Sequence, residues 1–483
     1  MNKRKRGEPA IDMGALVNKY RAVGKADKAK LTAKLALRAV GVKKPLFLGG
    51  YSDKLRKEQF EEDCLLAQKL QQTKKEPFIK PFKEYIKDSY LAIAVESMDR
   101  GGLEKVAALL ALEWRKQGIP VRVLCMNKGG SIANELQKKG ITVVEFKRDM
   151  DRLYSYLNRE KPVLANTHFL QTGIPCFSRL HIPVVEVVHN MYCFMDSMTI
   201  SRERGKHVLV DHYIAVSERA AECFLKKVPE VEKDRVSVIG NCFDVRVKLQ
   251  HDRSWIRKEL KADEDTFLFL SAGGIDSRKN TIGMIRAFDI LQKLTSRKMM
   301  LVIAGGVSDH EYEKMVKDVL EERHLHNVYL LGQRNDMADL LSASDVFLLD
   351  SYCEGWSVAA TEAVSCGIPI IHSDCGSGRE LIAGGMNGIL TDNPIHGIDD
   401  YDGVELWDIM HAGVNENLEQ MVMAMQQMIL QEADWKNSVD NRIKHAKEHF
   451  SSSKVANAYL TVFAKVLADQ KKTIQTDTEQ MNE

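Results

Sequence analysis

The sequence lacks long apolar runs, and none of its hydrophobic stretches approaches the roughly 20 residues that a membrane helix needs. The basic N-terminus MNKRKRGEPA is not followed by an apolar stretch, which argues against a secretory signal. Nine cysteines lie scattered, with no Cys-x-x-Cys pair and no Cys/His cluster at zinc spacing. These absences disfavour an extracellular or zinc-dependent enzyme and predict reduced, mostly buried thiols in a cytoplasmic protein.

The length and the charge distribution indicate two compact domains with a basic extension. The chain has 483 residues, of which 44% are hydrophobic and 28% charged, as in soluble globular proteins. Residues 1–88 carry 22 Lys+Arg against 11 Asp+Glu, a net charge of +11 that leaves −9 on the remainder. This extension is either a solvated helical face or a segment attracted to anionic lipid headgroups or an anionic acceptor. It has no regularly interleaved aromatic residues and no known reader motif, so we do not expect a nucleic acid partner.

The hydrophobic pattern predicts an α/β protein. Residues 1–88 favour helices around residues 28–40 and 53–72. Short apolar runs separated by amphipathic segments follow in two series, as in parallel strands buried on both faces. The runs are LAIAV (91–95), VRVLC (121–125), VVEVV (184–188) and YIAV (213–216), then FLFLS (267–271), LVIA (301–304), VYLL (328–331), VFLL (346–349) and IPII (368–371).

We therefore predict a basic helical extension (1–88) and two Rossmann-like domains (89–247 and 248–433). A polar linker lies near residues 246–265, and a C-terminal helical segment with a polar tail covers residues 434–483. Two consecutive doubly wound domains form a cleft, and ligands in such sheets bind beyond the carboxyl ends of the strands.

The strongest motif is Glu354-Gly-Trp-Ser-Val-Ala-Ala-Thr-Glu362, which follows the strand VFLL. The pattern predicts a loop over residues 352–355 and a helix from about Trp356. The first amides of that helix, at the positive end of its dipole, suit a diphosphate. Glu354 and Glu362 lie on nearly the same side of this segment, where carboxylates could accept hydrogen bonds from sugar hydroxyls. On spacing alone, two solvated glutamates on an exposed helix face explain the pattern as well.

The surrounding segments resemble the family 4 retaining glycosyltransferases (glycosyl transferases group 1). That family carries Glu-x7-Glu within a strand–loop–helix unit, followed by a Cys-Gly-x-Pro-x-Ile step. The segments that match in family order, over roughly residues 89–465, are Leu331-Gly332-Gln333-Arg334, Ala343-Ser344-Asp345, Glu354-x7-Glu362, Cys366-Gly367-Ile368-Pro369-Ile370, and Ser373-Asp374-Cys375-Gly376 with Glu380-Leu381-Ile382.

The resemblance implies a role for each matching residue in donor binding. Glu354 would contact the donor sugar and Glu362 the ribose. The amides of Trp356, Ser357 and Val358 would face the sugar and phosphate. Gly332 and Arg334 match the segment that the family places against the base, and Gly101-Gly102 matches its first-domain glycine loop, although a Gly-Gly pair alone equally fits an ordinary tight turn.

Two further strand ends carry candidate site residues. His189 ends the strand VVEVV; a lone histidine is often structural, but the resemblance implies contact with the donor sugar. After FLFLS comes Gly273-Gly274-Ile275-Asp276-Ser277-Arg278-Lys279-Asn280, without the GK[ST] of a Walker loop. The family pattern here is Gly-Arg-x4-Lys, with both cations on the pyrophosphate. Lys279 matches, whereas Gly274 occupies the arginine position, and Arg278 is close enough to substitute.

Metal-independent transfer fits these residues, because the helix dipole, Lys279 and backbone amides can carry the charge of a leaving diphosphate. No Asp-x-Asp site is evident near a strand end. Asp399-Asp400-Tyr401-Asp402 resembles one, but it reads as a solvated turn in an inserted loop.

The resemblance implies a two-domain GT-B fold and a retaining hexosyltransferase of cell-surface polysaccharide synthesis. It would take no cofactor, use a nucleotide-sugar donor, with a UDP-sugar favoured, and transfer to a glycan or lipid-linked acceptor. It would be cytoplasmic, with a peripheral position on the inner face of the plasma membrane as an option. The alternatives are a sugar-nucleotide epimerase or glycoside phosphorylase on the same fold, or a non-catalytic sugar-nucleotide-binding subunit.

Overall fold

The computed structural model describes residues 80–99, 101–243 and 252–481, with side chains described as far as residue 470. The chain divides into two compact units, Met1–Phe78 and Ile79–Glu483, and every described residue lies in the second. The helices predicted at residues 28–40 and 53–72 therefore lie outside the described residues.

The first domain is built on a seven-stranded parallel sheet with the order β3-β2-β1-β4-β5-β6-β7. Its strands are β1 (Leu91–Val95), β2 (Val121–Cys125), β3 (Thr142–Glu145), β4 (Leu164–His168), β5 (Val184–Val188), β6 (His212–Ala215) and β7 (Val236–Val238). Its helices are α1 (Gly102–Lys116), α2 (Ser131–Lys138), α3 (Met150–Arg159), α4 (Ile174–Arg179), α5 (Ser197–Lys206) and α6 (Glu218–Lys227). Every residue of β1, β4 and β5 is buried, as expected where helices cover both faces of a parallel sheet.

The second domain carries a six-stranded sheet with the order β10-β9-β8-β11-β12-β13, again with parallel pairing. Its strands are β8 (Phe267–Ala272), β9 (Met299–Ala304), β10 (Val328–Gly332), β11 (Val346–Leu349), β12 (Ile370–Ser373) and β13 (Gly388–Thr391). Its helices are α7 (Arg253–Glu259), α8 (Thr281–Gln292), α9 (His310–Glu322), α10 (Met337–Ala343), α11 (Val358–Ser365), α12 (Gly378–Ile382), α13 (Gly403–His411), α14 (Leu418–Leu430), α15 (Glu432–Asn437), α16 (Val439–Phe450) and α17 (Ser452–Met481). Two Rossmann-like domains confirm the predicted fold class.

The C-terminal helix α17 returns to the first domain. Trp114 on α1 donates its indole N–H to the Ala456 carbonyl at 3.1 Å, and its ring packs against Tyr459 and Phe463. Phe82, ahead of β1, is 3% exposed and packs on Phe463. The folded unit therefore includes residues that we assigned to the basic extension and to the C-terminal segment.

The described part of the predicted linker, from residue 252 onward, includes a helix. Within it, α7 buries Ile256 and the guanidinium of Arg257, which donates to the Ala343 carbonyl. The amide of Phe243, near the end of the first domain, donates to the carbonyl of Phe450, where α16 ends before α17 returns to that domain. These two segments therefore lie side by side. Among the described residues, no helix is both long enough and apolar enough to span a membrane.

Candidate active site

An ion pair between Lys279 and Glu354 lies at the carboxyl ends of the second sheet. Lys279 follows β8 and Glu354 follows β11, two neighbouring strands, and the ammonium donates to Glu354 Oε1. Ser351 Oγ also donates to this oxygen at 3.4 Å. The two side chains are 20% and 15% exposed, so a positive and a negative group are held together at the edge of the cleft.

The loop before α8 fixes Lys279. Asp276 accepts from the Arg278 amide, and Asn280, with φ 49°, accepts from the Gly283 amide and so caps α8. The stem of Lys279 lies over Gly273, where a Cβ atom would be 3.1 Å from Lys279 Cε. Burial lowers the pKa of Lys279, although the Asp276 carboxylate opposes this shift.

Arg278 is held close by but has its own partners. Its Nε and Nη2 atoms each donate to Asp276 at 3.1 Å, and its guanidinium lies 5.9 Å from the ring centroid of Phe194 in the first domain. The structure thus places a cation near the position of the missing family arginine, with its charge partly neutralised. A Cβ atom at Gly274 would lie 2.8 Å from Ser308 Oγ, a side chain that can rotate away.

The loop that carries Glu354 is docked on the first domain. A Cβ atom at Gly355 would fall 1.6 Å from the His189 carbonyl oxygen, so only glycine fits this approach of two backbones. Ser217 Oγ donates to the Gly355 carbonyl at 3.0 Å. At Gly376, with φ 45°, a Cβ atom would lie 2.6 Å from the Glu354 carbonyl oxygen. His189 and Glu354 are therefore brought to the same part of the cleft.

His189 belongs to a buried polar chain. Its Nε2 lies 2.8 Å from Nδ1 of His168, the last residue of β4, and His168 Nε2 lies 3.0 Å from Asn166 Oδ1. Asn166 Nδ2 donates to the Val185 carbonyl, which fixes the orientation of its amide. His168 Nε2–H therefore donates to Asn166, and His168 Nδ1 accepts from His189 Nε2–H, so His189 Nδ1 keeps a lone pair. Burial lowers the pKa of His189 to about 3 and that of His168 well below its usual value, so both rings are neutral at physiological pH.

The helix after the loop begins at Val358, two residues later than predicted. Ser357 is its N-cap and accepts from the Ala360 amide, while the Ser357 amide donates to Ser377 Oγ at 3.0 Å. The Ser357 amide is thus paired within the protein. The amides of Val358 and Ala359, the first two residues of the helix, have no intrahelical acceptor. The Trp356 indole is buried against Gly240 and donates to Thr361.

Glu362 lies on the wall of an interdomain cavity. The cavity has a volume of about 230 Å³ and is lined mainly by α1, α2 and the start of α11. Burial raises the pKa of Glu362, and the nearby Lys105 ammonium opposes this shift. The cavity lining is otherwise mostly apolar, with Leu109 and Phe243 among its members.

The glycine pair opens α1 as predicted. Gly101 is the N-cap, with an extended backbone and no side-chain cap, and Gly102 is exposed. A Cβ atom at Gly102 would meet nothing within 4 Å, so a ligand can approach this backbone closely. Burial raises the pKa of Glu104 in the first turn of the helix.

The structure places Arg334 in a structural cluster. Its guanidinium donates to Asp336 and to Glu259 of α7, with both closest contacts between 2.6 and 2.8 Å. Two carboxylates neutralise its charge, and Gly332, with φ 66°, ends β10 just before it. Contact of Gly332 and Arg334 with the base stays a prediction.

The acidic loop around Asp399 contacts the first domain, which corrects the sequence interpretation for Asp399, whereas Asp400 and Asp402 are exposed as in a solvated turn. Asp399 accepts from Arg219 Nη2 at 2.9 Å, Asp400 pairs with Lys226, and the Tyr401 carbonyl accepts from Lys227 at 2.8 Å. All three cations lie on α6, so opposite charges hold this loop against the first domain.

Models of two glycosyltransferase families match successive parts of this chain. "Glycosyl transferases group 1" matches residues 252–400 and "Glycosyltransferase Family 4" matches residues 100–247, together more than half of the chain. The chain belongs to the family 4 glycosyltransferases of the GT-B type.

Individual relatives are distant. Over 274 residues the chain is 27% identical to the UDP-Gal:alpha-D-GlcNAc-diphosphoundecaprenol alpha-1,3-galactosyltransferase of Escherichia coli, covering 53% of this chain and 68% of the relative. It is 25% identical over 237 residues to the N-acetyl-alpha-D-glucosaminyl L-malate synthase of Bacillus anthracis, covering 49% of this chain and 55% of the relative. The chain thus spans between about half and two thirds of the relatives it matches.

Solved structures share the fold at low identity. A glycosyltransferase from Rickettsia africae superposes with a TM-score of 0.65 at 14% identity, covering 79% of this chain and 99% of that one. The Anabaena protein HepE in complex with UDP superposes with a TM-score of 0.62 at 18% identity, covering 78% of this chain and 100% of that one.

Proposed function

We propose that this protein transfers a sugar from a nucleotide-diphosphate donor, with UDP-sugar the favoured class, to a glycan or lipid-linked acceptor. The observation that supports it most is the Lys279–Glu354 pair at the strand ends, with the loop of Glu354 docked on His189. A diphosphate can take Lys279 as its cation while Glu354 turns to the sugar hydroxyls. The E. coli relative is a UDP-Gal-dependent galactosyltransferase and HepE has been solved with UDP, which favours uridine as the base of the donor.

The remaining site residues have roles consistent with such a donor. The exposed backbone at Gly102 and the free amides at the start of α11 offer N–H groups to phosphate oxygens. His189 presents a neutral ring whose Nδ1 can accept from a sugar hydroxyl, and Glu362 can accept from the ribose hydroxyls. These groups stabilise the leaving diphosphate and orient the sugar.

Retention of anomeric configuration, independence of a catalytic metal and a role in cell-surface polysaccharide synthesis belong to the proposal. Under it, the acceptor hydroxyl attacks the anomeric carbon on the face that the diphosphate leaves. The proton passes to the leaving phosphate, so no side-chain nucleophile is required. The basic segment ahead of the folded unit would hold the enzyme at the inner face of an anionic membrane.

Donor binding is the first test. We expect a uridine diphosphate sugar to raise the melting temperature of the full-length protein more than guanosine or adenosine diphosphate sugars do. Stabilisation by another base alone would overturn the donor assignment, and no stabilisation by any donor would count against nucleotide-sugar binding.

Transfer itself is tested with the identified donor and a panel of glycan and lipid-linked acceptors, with no metal ion added to the assay. We expect a product with the anomeric configuration of the donor, measured from the anomeric proton coupling by NMR. An epimerised donor without acceptor would identify an epimerase, release of sugar 1-phosphate on adding phosphate a phosphorylase, and donor binding without turnover a binding subunit.

A further inference from the structure

Three cysteine side chains that are far apart in the sequence meet beside the loop that carries Glu354. The thiols of Cys193, just after β5, and Cys223, on α6, lie with a carboxylate oxygen of Asp399 within 4.8 Å of one another. The thiol of Cys353, from the second domain, neighbours that of Cys193 but lies outside this group of three. Cys193, Cys223 and Cys353 are all buried. The sequence has no cysteine motif with zinc-binding spacing, but the fold brings cysteines from separate segments together.

Asp399 supplies a second observation that points to a cation. Its Oδ2 accepts from Arg219 Nη2 at 2.9 Å, whereas its Oδ1 is buried and this carboxyl has no further donor beside it except the weakly donating Cys223 thiol. A buried carboxylate oxygen without a good donor is costly, and ligating carboxylates commonly have their other oxygen hydrogen-bonded outside the metal. Asp399, backed by Arg219, has this arrangement.

We propose that Cys193, Cys223, Cys353 and Asp399 bind one Zn²⁺ ion in a tetrahedral site that joins the two domains. Thiolates with one oxygen ligand suit zinc, and four protein ligands make a structural rather than a catalytic site. With Zn–S bonds of about 2.3 Å, tetrahedral sulfurs lie about 3.8 Å apart. The ligand atoms of Cys193, Cys223 and Asp399 lie within 4.8 Å of one another, so they draw together by up to about 1 Å, whereas the Cys353 thiol has to turn toward them to complete the site. Each thiol releases its proton to solvent as its thiolate binds the ion.

A disulfide is the competing use of adjacent thiols, and Asp399 decides against it. A bond between Cys193 and Cys223 would leave Asp399 Oδ1 buried and unpaired, whereas zinc satisfies this oxygen and the thiols together. The metal ties the segment after His189 to the loop that carries Glu354. It goes beyond the proposed transfer reaction, in which it takes no chemical step.

Metal content tests the site without any assay of transfer. The full-length protein is produced in zinc-supplemented medium and purified without chelator, and its metal content is measured by inductively coupled plasma mass spectrometry. We expect about one Zn²⁺ per chain, and exchange with Co²⁺ should give the thiolate charge-transfer band and strong visible bands of tetrahedral cobalt. Zinc near zero together with no cobalt bands overturns the proposal. So does a Cys193–Cys223 disulfide, detected as missing free thiols, in metal-free protein purified without reductant.

Single substitutions locate the site. Cys193→Ser and Cys223→Ser should reduce bound zinc to near zero, and Cys353→Ser should lower the cobalt charge-transfer intensity by about a third, because one of three thiolates is lost. Cys125→Ser, which alters a buried thiol elsewhere in the first domain, should keep the metal. If a cysteine variant does not fold by circular dichroism, Asp399→Asn on the partly exposed loop is the substitute and should weaken zinc binding at least tenfold. Zinc retained in every folded variant at the wild-type level overturns the assignment.

Discussion

At the scale of single residues, the proposed donor site depends on the Lys279–Glu354 ion pair. Both side chains are largely buried, so each has lost most of its hydration and depends on the other. An incoming diphosphate can replace Glu354 as the partner of Lys279 and release the carboxylate for the sugar. Under this proposal the ion pair is a resting arrangement, and donor binding opens it.

Lys279→Ala should lower kcat/KM by about 10- to 150-fold, because a charge-assisted hydrogen bond contributes about 1.5–3 kcal/mol. Arg278→Ala should lower it by less than about fivefold, since Asp276 and Phe194 already hold that guanidinium. Steady-state kinetics on both variants provide the measurement. An equal loss in the two would instead show that Arg278 has taken over the role of the arginine that Gly274 replaces.

His168 acts on the site through His189. With Nε2–H of His189 donated to His168, we expect ¹⁵N NMR to show His189 neutral, with Nδ1 unprotonated, from pH 5 to pH 8. His168→Leu removes this acceptor, so His189 should show a mixture of tautomers and kcat/KM should fall by about 2- to 12-fold. His181→Asn, on an exposed position with φ 50°, is the control and should change neither quantity. A wild-type tautomer in His168→Leu would remove the positioning role.

At the scale of elements, the loop between β11 and α11 joins the domains through backbone contacts. Gly355→Ala places a methyl group where the His189 carbonyl oxygen lies, so the loop must move away from the first domain. We expect a loss of about 1–3 kcal/mol of stability and a lower kcat/KM, measured by chemical denaturation and kinetics. Gly205→Ala, at a helical glycine with nothing within 4 Å, should leave both unchanged or slightly raise stability. Wild-type behaviour of Gly355→Ala would mean that this contact is not needed in solution.

Apolar runs predicted nine of the thirteen described strands, but not β4, which has a polar interior, nor β3, β7 and β13, which are only three or four residues long. β4 has the sequence LANTH, and its three polar residues are buried. Asn166 and Thr167 donate to Val185 and Glu186 of β5, and His168 hydrogen-bonds to Asn166 and His189. Such a segment looks like a loop when only hydrophobicity is read. The buried chain behind His189 was missed for this reason.

The motif residues were predicted better than their contacts. Spacing and resemblance indicated Glu354, Lys279 and His189, which the structure brings to one cleft, yet their roles stay predictions. Spacing gave no sign that Arg334 pairs with Asp336 and Glu259, because ion pairs between separate elements depend on the tertiary fold. The meeting of the cysteines escaped for the same reason.

At the scale of the whole molecule, buried histidines make stability depend on pH. Burial lowers the pKa of His372 to about 4, against about 6.5 in an unfolded chain. The unfolded state therefore binds more protons between these values, so the contribution of His372 is complete above pH 6.5 and is lost as pH falls toward 4. Burial raises the pKa of Asp350 to about 7, which acts in the opposite sense.

Because these effects oppose each other, the variant must be compared with the wild type at each pH. The difference in unfolding free energy between His372→Gln and wild type should shift by about 2 kcal/mol in favour of the variant from pH 8 to pH 5. Urea denaturation at several pH values measures it. Parallel curves for the two proteins would show that His372 does not titrate on unfolding.

The boundary of the folded unit sharpens the test of membrane binding. The basic segment was predicted to end at residue 88, but Phe82 and Ile86 are buried in the core, and the compact unit begins at Ile79. Deleting residues 1–88 would remove these side chains, and losing a buried Phe alone costs about 3–5 kcal/mol. A protein that begins at Ile79 loses a net charge of +10 and keeps the core intact.

We therefore expect the protein that begins at Ile79 to transfer sugar to a soluble acceptor as the full chain does, and to lose co-sedimentation with phosphatidylglycerol vesicles at low salt. A full-length variant with Lys3, Arg4, Lys5 and Arg6 replaced by Gln separates charge from length. At about 1 kcal/mol per basic residue near an anionic surface, it should bind about a thousandfold more weakly. Raising the salt should weaken wild-type binding in the same direction, because screening shortens the reach of these charges, and phosphatidylcholine vesicles should bind neither protein. If the full chain does not bind the anionic vesicles even at low salt, the basic segment is a solvated extension. The enzyme must then meet its acceptor without binding a membrane through this segment.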